Sequence, residues 1–354
     1  MDTAIVITKP MSLTWQVAEQ EVMIGQSANE YAAGAAFDLY RRGKSPRTLE
    51  IHRDGLNAFA RFLAQAGISR TGAQLEADPG AWNFITHGLV EGFREWMLQA
   101  GYAVATVNLR LTSVKVYVKL ATRAGVISHE THAMIRMVAG IGKTEAHNLD
   151  AQRADAGTPI RVGRKKAAPI VISETDAQHL LEHPNTPQGR RDAVLMHLLL
   201  EIGLRAGEAA GVTVGGVDLE EGTLTFYRPK VYKTQIHEMP RGTLAAMRAY
   251  FDAGDAPEDA DAFLLRGSRK GGQLSGPGMS RVNISMRVRT LGERIGVHGL
   301  SAHDCRHHWA TKAGRMTRDA FALRDAGGWA NLDMPNHYVA ADERANAGIV
   351  HVFR

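Results

Sequence analysis

The sequence predicts a mainly α-helical protein with a small β-sheet, organised as two domains. Three observations carry this expectation. The chain has 354 residues, more than a single hydrophobic core normally organises. Its first part, to about residue 145, reads as amphipathic helices. From Pro169 onward a run of β-forming residues between turn signals is set among further helices.

Residues 1–27 are read as an N-terminal extension and 28–145 as a helical domain. "SPRTLEIHRDGLNAFARFLAQAG", 45–67, opens on Ser45-Pro46 and closes on Gly67. Leu49, Leu56, Phe59, Phe62 and Leu63 fall on roughly one face, so it predicts a helix. "ATVNLRLTSVKVYVKLATRAG", 105–125, has Thr106 as its expected N-cap and Gly125 just past its end. Leu111, Val114, Val118 and Ala121 form its apolar stripe. Lys115, Lys119 and Arg123, four residues apart, form a basic stripe on another face. Such a helix suits docking on a phosphate backbone.

Residues 141–168 are polar with little periodicity. They read as a linker, with 146–168 as the basic interdomain segment. "GIGKT", 140–144, resembles the end of a phosphate-binding loop, but the motif's first glycine would fall at Met137 and a helix precedes it. The second domain is drawn at 169–354, including a C-terminal tail. "GRRDAVLMHLLLEIG" predicts a helix ending at Gly203. "GTLTFYRPKVYKTQIHEMP" predicts a β-hairpin, with Thr223–Tyr227 as its first strand. Helices are expected near 242–253, 278–295, 302–314, 317–327 and 334–345.

Composition excludes several classes. Hydrophobic residues make up 44% and charged residues 22%, the mix of an ordinary globular protein. No apolar run approaches the roughly 20 residues that span a bilayer, so no membrane partner is expected. "MDTAIVITKP" lacks a basic n-region, and no signal peptide is expected. One cysteine, Cys305, allows no intramolecular disulfide and fits a reducing cytoplasm. The net charge is +5, and its distribution says more than its size. No acid occurs from Trp96 to His129, where Arg110, Lys115, Lys119 and Arg123 lie. None occurs from Ala262 to Gly292, where Arg281, Arg287 and Arg289 lie. "RVGRKK", 161–166, adds Arg164, Lys165 and Lys166. Three basic stretches point to a polyanion such as nucleic acid.

"HDCRHHWATKAG", 303–314, raises a choice of chemistry. His303 and His307 are an i, i+4 pair, but the glutamate of an H-E-x-x-H site is missing and Arg306 would repel a cation. No metal is therefore expected. The plain alternative is packing histidines on a buried helix. Other residues favour a third reading. Arg205 follows a helix end with Glu208 three residues on, Lys230 and Lys233 lie in the hairpin, and Trp329 precedes Tyr338 by nine residues. Two arginines, a lysine, a histidine, an indole N–H and a tyrosine can neutralise a phosphodiester without metal and attack it with oxygen.

In order and spacing, Arg205, Lys233, His303-Asp304-Cys305-Arg306, Trp329 and Tyr338 resemble the signature of the tyrosine recombinases, the phage-integrase family of Cre, the Xer proteins and lambda integrase. "GLRAGEAAGV" resembles the family's first arginine segment and "LSAHDCRHHWAT" its H-x-x-R box. "YAVATVNLRLTSVKVYVKLATRAGVI" resembles the last long helices of its core-binding domain. "GGW" stands where Leu-Gly-His is commoner.

The resemblance implies a helical core-binding domain, a mixed α/β catalytic domain, and cleavage and rejoining of duplex DNA through a 3′-phosphotyrosine on Tyr338. Arg205 and Arg306 would hold the phosphate, with Glu208 orienting Arg205. His303 would move a proton, Trp329 would donate one hydrogen bond, and a hairpin lysine would protonate the leaving oxygen. Lys233, before Thr234, is preferred to Lys230. DNA contacts are expected at Arg110, Lys115, Lys119, Arg123, Arg164, Lys165, Lys166, Arg281 and Arg287. The resemblance further implies no cofactor, a homotetramer on paired inverted repeats, a nucleoid-associated cytoplasmic location, and a tail, Ile349 to Phe353, that docks on a neighbouring subunit. Residues 1–27 are few for an arm-binding domain, so a simple Cre/Xer-like member is expected. Two alternatives share the pattern: a type IB topoisomerase-like relaxing activity, and an inactive DNA-binding relative.

Overall fold

The structure is a computed structural model that describes residues 15–157, 169–269 and 271–339. The chain forms two compact units, Met1–Lys165 and Lys166–Arg354. The first holds helices α1 (Trp15–Gly34), α2 (Ala36–Arg42), α3 (Pro46–Gln65), α4 (Gly72–Ala77), α5 (His87–Gln99), α6 (Val104–Arg123), α7 (His129–Met137) and α8 (Lys143–Asp155). Ser45 caps α3 by accepting from the Thr48 N–H, as its sequence implies. Leu56, Phe59 and Leu63 of α3 are buried with Leu111, Val114, Val118 and Ala121 of α6. That apolar stripe is where the periodicity puts it. The start of α6 is not: it begins after Ala103, and Thr106 lies inside the helix. A good capping residue loses to the residue at which the backbone turns into the helix.

The expected linker is, for much of its length, α8. Its Ala146 and Leu149 pack on the core of the first unit. Arg153 is buried and donates to the carbonyls of Leu98, at 2.6 Å, and Tyr102, at 3.2 Å. These carbonyls lie at and just past the end of α5. The helix is thus tied down by two small apolar contacts and a guanidinium, a pattern that apolar periodicity does not register.

The second unit holds α9 (Glu174–Leu181), α10 (Pro187–Leu200), α11 (Ala206–Ala210), β1 (Val217–Asp218), β2 (Thr223–Arg228), β3 (Lys233–Glu238), α12 (Arg241–Asp252), β4 (Arg266–Ser268), β5 (Leu274–Gly278), α13 (Arg281–Arg294), α14 (Ala302–Thr317), α15 (Ala320–Gly327) and α16 (Asp333–Val339). Strands β1, β2 and β3 form an antiparallel sheet in that order. The hairpin register sets Arg228 opposite Lys233. β4 and β5 pair separately. They were not expected, because "RGS" and "LSGPG" carry glycine and proline rather than β-formers. Pro277 and the Ser280 cap delay α13 to Arg281. Residues 340–345 of the last expected helix, the 348–354 tail and the 161–166 basic cluster lie outside the described residues.

α10 runs through the centre of this unit, with Val194 to Leu200 all buried. It also buries Asp192, whose carboxylate takes Arg191 on one side, at 2.9 Å, and Arg287 of α13 on the other. Arg287 was expected to contact DNA. It is instead committed to Asp192, with 14% of its side chain exposed. Among the described residues no helix is long and apolar enough to cross a membrane.

His237, on β3, stacks edge-on against Phe226 with ring centroids 5.0 Å apart. Burial, aided by the Arg228 charge, pushes its imidazole down to about 4 from 6.5. Between those values the unfolded chain takes a proton that the folded one refuses. Stability should therefore fall as pH drops through 6.5 towards 4. Urea unfolding at pH 7 and pH 5 checks this: the wild type should lose more stability than His237→Gln. Equal losses would remove His237 as a source of acid sensitivity.

Candidate active site

Arg205 stands where α10 has ended and α11 begins. The intervening Gly203 has φ +71° and presses on the Trp309 indole. A Cβ there would sit 2.2 Å from that ring, so no other residue fits. Arg205 donates its backbone N–H to Glu208 Oε2 at 2.9 Å and its Nη1 to Oε1 at 2.6 Å. Glu208, 3% exposed, thus caps α11 and aims the guanidinium with one carboxylate.

Arg306 comes from the second turn of α14 and is buried. It donates to the Gly203 and Gly327 carbonyls. Its guanidinium lies 4.5 Å from the centre of the Trp329 ring, a cation–π contact. Burial, with the Arg205 charge next, pushes Arg306 down to about 9, so it stays charged at neutral pH.

A further arginine belongs to this group, and sequence reading missed it. Arg228, at the end of β2, is 0% exposed. It donates to Glu208 Oε2 at 2.9 Å, to the Gly327 carbonyl at 3.1 Å, to the Ala326 carbonyl at 2.7 Å and to the Gln235 side chain. Arg205 adds a 3.4 Å contact to the Gly328 carbonyl. The last two carbonyls of α15, which a helix leaves unpaired, are therefore taken up by two guanidiniums and that of the following Gly328 by a third, at the end where the helix dipole is negative.

This arrangement accounts for "GGW". Gly328 ends α15 with φ +60°, and a Cβ on it would lie 2.5 Å from Arg228 Cδ. A Cβ on Gly327 would lie 1.7 Å from the Trp329 ring. Two glycines let carbonyls, arginines and indole meet.

A cavity of about 630 Å³ opens over the group. Arg205, Glu208, Lys230, His303 and Arg306 line it, joined by Arg281 and Arg289 of α13. Lys230 is on this wall, whereas Lys233 is not. A four-residue turn, Pro229 to Tyr232, separates the strands, so Lys233 is already back on the ladder opposite Arg228, exposed. Trp329 lies beside Arg306. Tyr338 of α16 is 3% exposed and packs with Ala310, Leu323, Trp309 and Trp329 rather than on the cavity wall. Its ring meets His307 edge-on at 5.0 Å. Burial raises its phenol pKa and Arg306 partly opposes this. Cys305 is buried. Among the described residues no group of three or more metal-ligating side chains occurs.

The expected DNA contacts divide. Arg281 faces the cavity, as does Arg289, which the sequence placed in the same acid-free run. Lys119 and Arg123 are exposed on α6. Lys115 is half-buried, donates to the Val138 carbonyl and has its pKa lowered by burial. Arg110 lies 4.3 Å from the Tyr102 ring centre. Both are engaged within their own unit, so the basic stripe is shorter than its spacing suggested. Arg164, Lys165 and Lys166 lie outside the described residues.

Residues 171–344 match the family described as the phage integrase family. The second unit belongs to the phage integrase family. The resemblance drawn from the motifs is borne out at this level. Tyrosine recombinase XerD of Neisseria meningitidis serogroup B is 30% identical over 178 residues, 49% of this chain and 59% of that protein. Tyrosine recombinase XerC of Herpetosiphon aurantiacus is 23% identical over 323 residues, 88% of this chain and 90% of that one, so this kinship reaches both units. The Tn1549 transposon integrase, solved with transposon right end DNA, shares the fold: its TM-score is 0.60 at 14% identity, covering 91% of this chain and 98% of that one. The enzyme class expected from the motifs, a tyrosine-type recombinase, is the one the two relatives carry in their names.

The steric reading of "GGW" makes a prediction. Gly254 has φ +71° with nothing near its Cβ position, whereas Gly328 has φ +60° and the Arg228 side chain against it. Gly254→Ala should cost only the left-handed backbone penalty, about 1–2 kcal/mol. Gly328→Ala should cost more, because Arg228 must also move. Urea unfolding of the two variants measures this, and equal costs would mean that Arg228 yields freely.

Proposed function

We propose that the chain is a site-specific DNA recombinase that cleaves and rejoins duplex DNA through a phosphotyrosine at Tyr338. The observation that carries this is the convergence of Arg205, Arg306, Lys230 and His303 on one cavity, with Tyr338 packed on the helix that supplies two of them. The planar forks of Arg205 and Arg306 match the non-bridging oxygens of a phosphodiester. Their fixed charge supplies what a divalent cation supplies in many nucleases.

The step balances without a co-reactant. Tyr338 Oη bonds to phosphorus while the bond to the 5′ oxygen breaks. His303 takes the phenolic proton, and Lys230 gives one to the departing oxygen. Trp329 has only an indole N–H to offer, so it steadies the phosphorane and moves no proton. A 5′-hydroxyl from a second strand reverses the step. The phosphodiester energy is kept in the protein–DNA bond, so strand exchange needs no ATP. Tyr338 has to leave its packed position to attack, which assigns α16 a movement on DNA binding. Exchange between two duplexes calls for paired sites, and a homotetramer on inverted repeats meets that need. The protein then works in the compartment that holds the DNA.

Lys230 takes the role that the sequence reading gave to Lys233, because it is the hairpin lysine on the cavity wall. Two experiments test the reading. On a nicked duplex that traps cleaved product, Tyr338→Phe should keep DNA affinity and yield no covalent band on a denaturing gel. The wild-type band should survive excess EDTA. A band from the variant would move the nucleophile, with Tyr232, 81% exposed in the hairpin turn, next in line. The second experiment replaces the 5′ bridging oxygen by sulfur, a leaving group that needs no proton. Lys230→Ala should slow cleavage of the oxygen substrate by about 10²–10⁴-fold and cleave the sulfur substrate nearly as fast as wild type. Rescue of Lys233→Ala instead would restore the earlier assignment.

A further inference from the structure

The inward positions of β2 are Leu224, Phe226 and Arg228. Two are ordinary core residues. The third is a fully buried arginine where an apolar side chain would satisfy the same parity. Burying a guanidinium is expensive, and an apolar residue of similar size is often as stable or more so. What this arginine holds is therefore informative.

Its contacts lead to the cavity-lining Glu208 and to the structure behind the cavity. Nη1 reaches Glu208 Oε2, the carboxylate whose other oxygen holds Arg205. It also reaches the Gly327 carbonyl, which accepts from Arg306 as well. Nη2 takes the Ala326 carbonyl at 2.7 Å. Nε takes the Gln235 side chain, and Gln235 donates in turn to the Asp325 carbonyl at 2.9 Å. One fork thus ties both hairpin strands to the end of α15 and to the immediate partners of Arg205 and Arg306. Lys230, on the cavity wall, is two residues further along the same chain.

We propose that Arg228 is a positioning residue that registers the lysine hairpin against the two phosphate-binding arginines. It acts through its partners and does not line the cavity. The inference rests on the recombinase reading above, in which the hairpin lysine protonates the leaving oxygen. Loss of the tether lets the hairpin drift from α15, and lysine protonation fails before phosphate binding does. A distance error of about 1 Å in a proton donor is enough to cost about 10²-fold.

Leaving-group dependence separates this role from plain core filling. Full-length Arg228→Met should bind DNA as the wild type does. It should cleave the oxygen substrate at least about 10²-fold more slowly, and the 5′-sulfur substrate should recover most of that loss. Gln235→Leu removes the hairpin tether and leaves Glu208 with its arginines. It should lose about 10-fold on oxygen and almost nothing on sulfur, and it decides the matter if Arg228→Met fails to fold. Equal losses on the two substrates would overturn the proposal and leave Arg228 a structural residue, as would unchanged cleavage by both variants. A wild-type protein that forms no covalent product would instead sink the recombinase reading itself.

Discussion

The arginine group of the second unit is built around one buried carboxylate. Glu208 lies between Arg205 and Arg228, and without it two guanidiniums would face each other in a medium that screens them poorly. Arg306 adds a third positive charge through the shared Gly327 carbonyl. Against three full charges stand one carboxylate and the end of α15, worth roughly half a negative charge. The balance is left positive, and of the three arginines Arg205 and Arg306 line the cavity while Arg228 stands behind them. A phosphodiester brings one negative charge and gains a second as its phosphorus becomes five-coordinate. On the proposed reading, the folded chain holds the complement of that charge before substrate arrives, the arrangement in which electrostatic stabilisation needs least reorganisation.

The same constraint explains the backbone around it. Helices usually end with solvent or a cap satisfying the last carbonyls. α15 has such a cap at Gly328, and side chains from β2 and α14 take up the Ala326 and Gly327 carbonyls, so tertiary contacts also fix its end. Gly327 and Gly328 clear space for them, and Trp329 can then fold back over Arg306 and stack with Trp309 at 6.2 Å between centroids. A tryptophan at this place is part of the packing as much as of the chemistry. It covers one face of the buried Arg306 guanidinium, which has no ion pair of its own among the described residues.

Much of this was legible in the chain and some of it could not be. Arg205, Glu208, His303 and Arg306 announce themselves because short local motifs place them: a capping glutamate three residues on, and a histidine one turn before an arginine. Helix α3 was readable because Ser45 and Gly67 mark its ends and the face between is plainly apolar. Helix α8 was not, since its anchors are Ala146, Leu149 and a buried arginine whose partners are more than fifty residues away. The choice of lysine turns on a related point. Choosing between Lys230 and Lys233 requires the hairpin register, and register depends on turn length rather than on neighbouring residue types. Arg228 did leave a trace, because a charge at the inward parity of a strand breaks the alternation; only the identity of its partners was out of reach.

The placing of Tyr338 adds the last link, from packing to dynamics. α14 carries His303 and Arg306 in its first turns. Eight residues after Arg306, about 12 Å along the axis, it carries Gly314, against whose bare backbone Tyr338 is seated, since a Cβ there would lie 3.0 Å from the Tyr338 carbonyl group. One helix therefore sets the distance between the Arg306 guanidinium and the seat of Tyr338, the proposed nucleophile. At rest the phenol is buried, and burial raises its pKa. Moving toward the arginines brings it out of the apolar pocket and into their field, and both changes favour the phenolate. In the proposed reaction, the movement that delivers Tyr338 is also the one that makes it a nucleophile. α16 is well suited to that movement, a seven-residue helix held to α14 and α15 mainly by apolar contact.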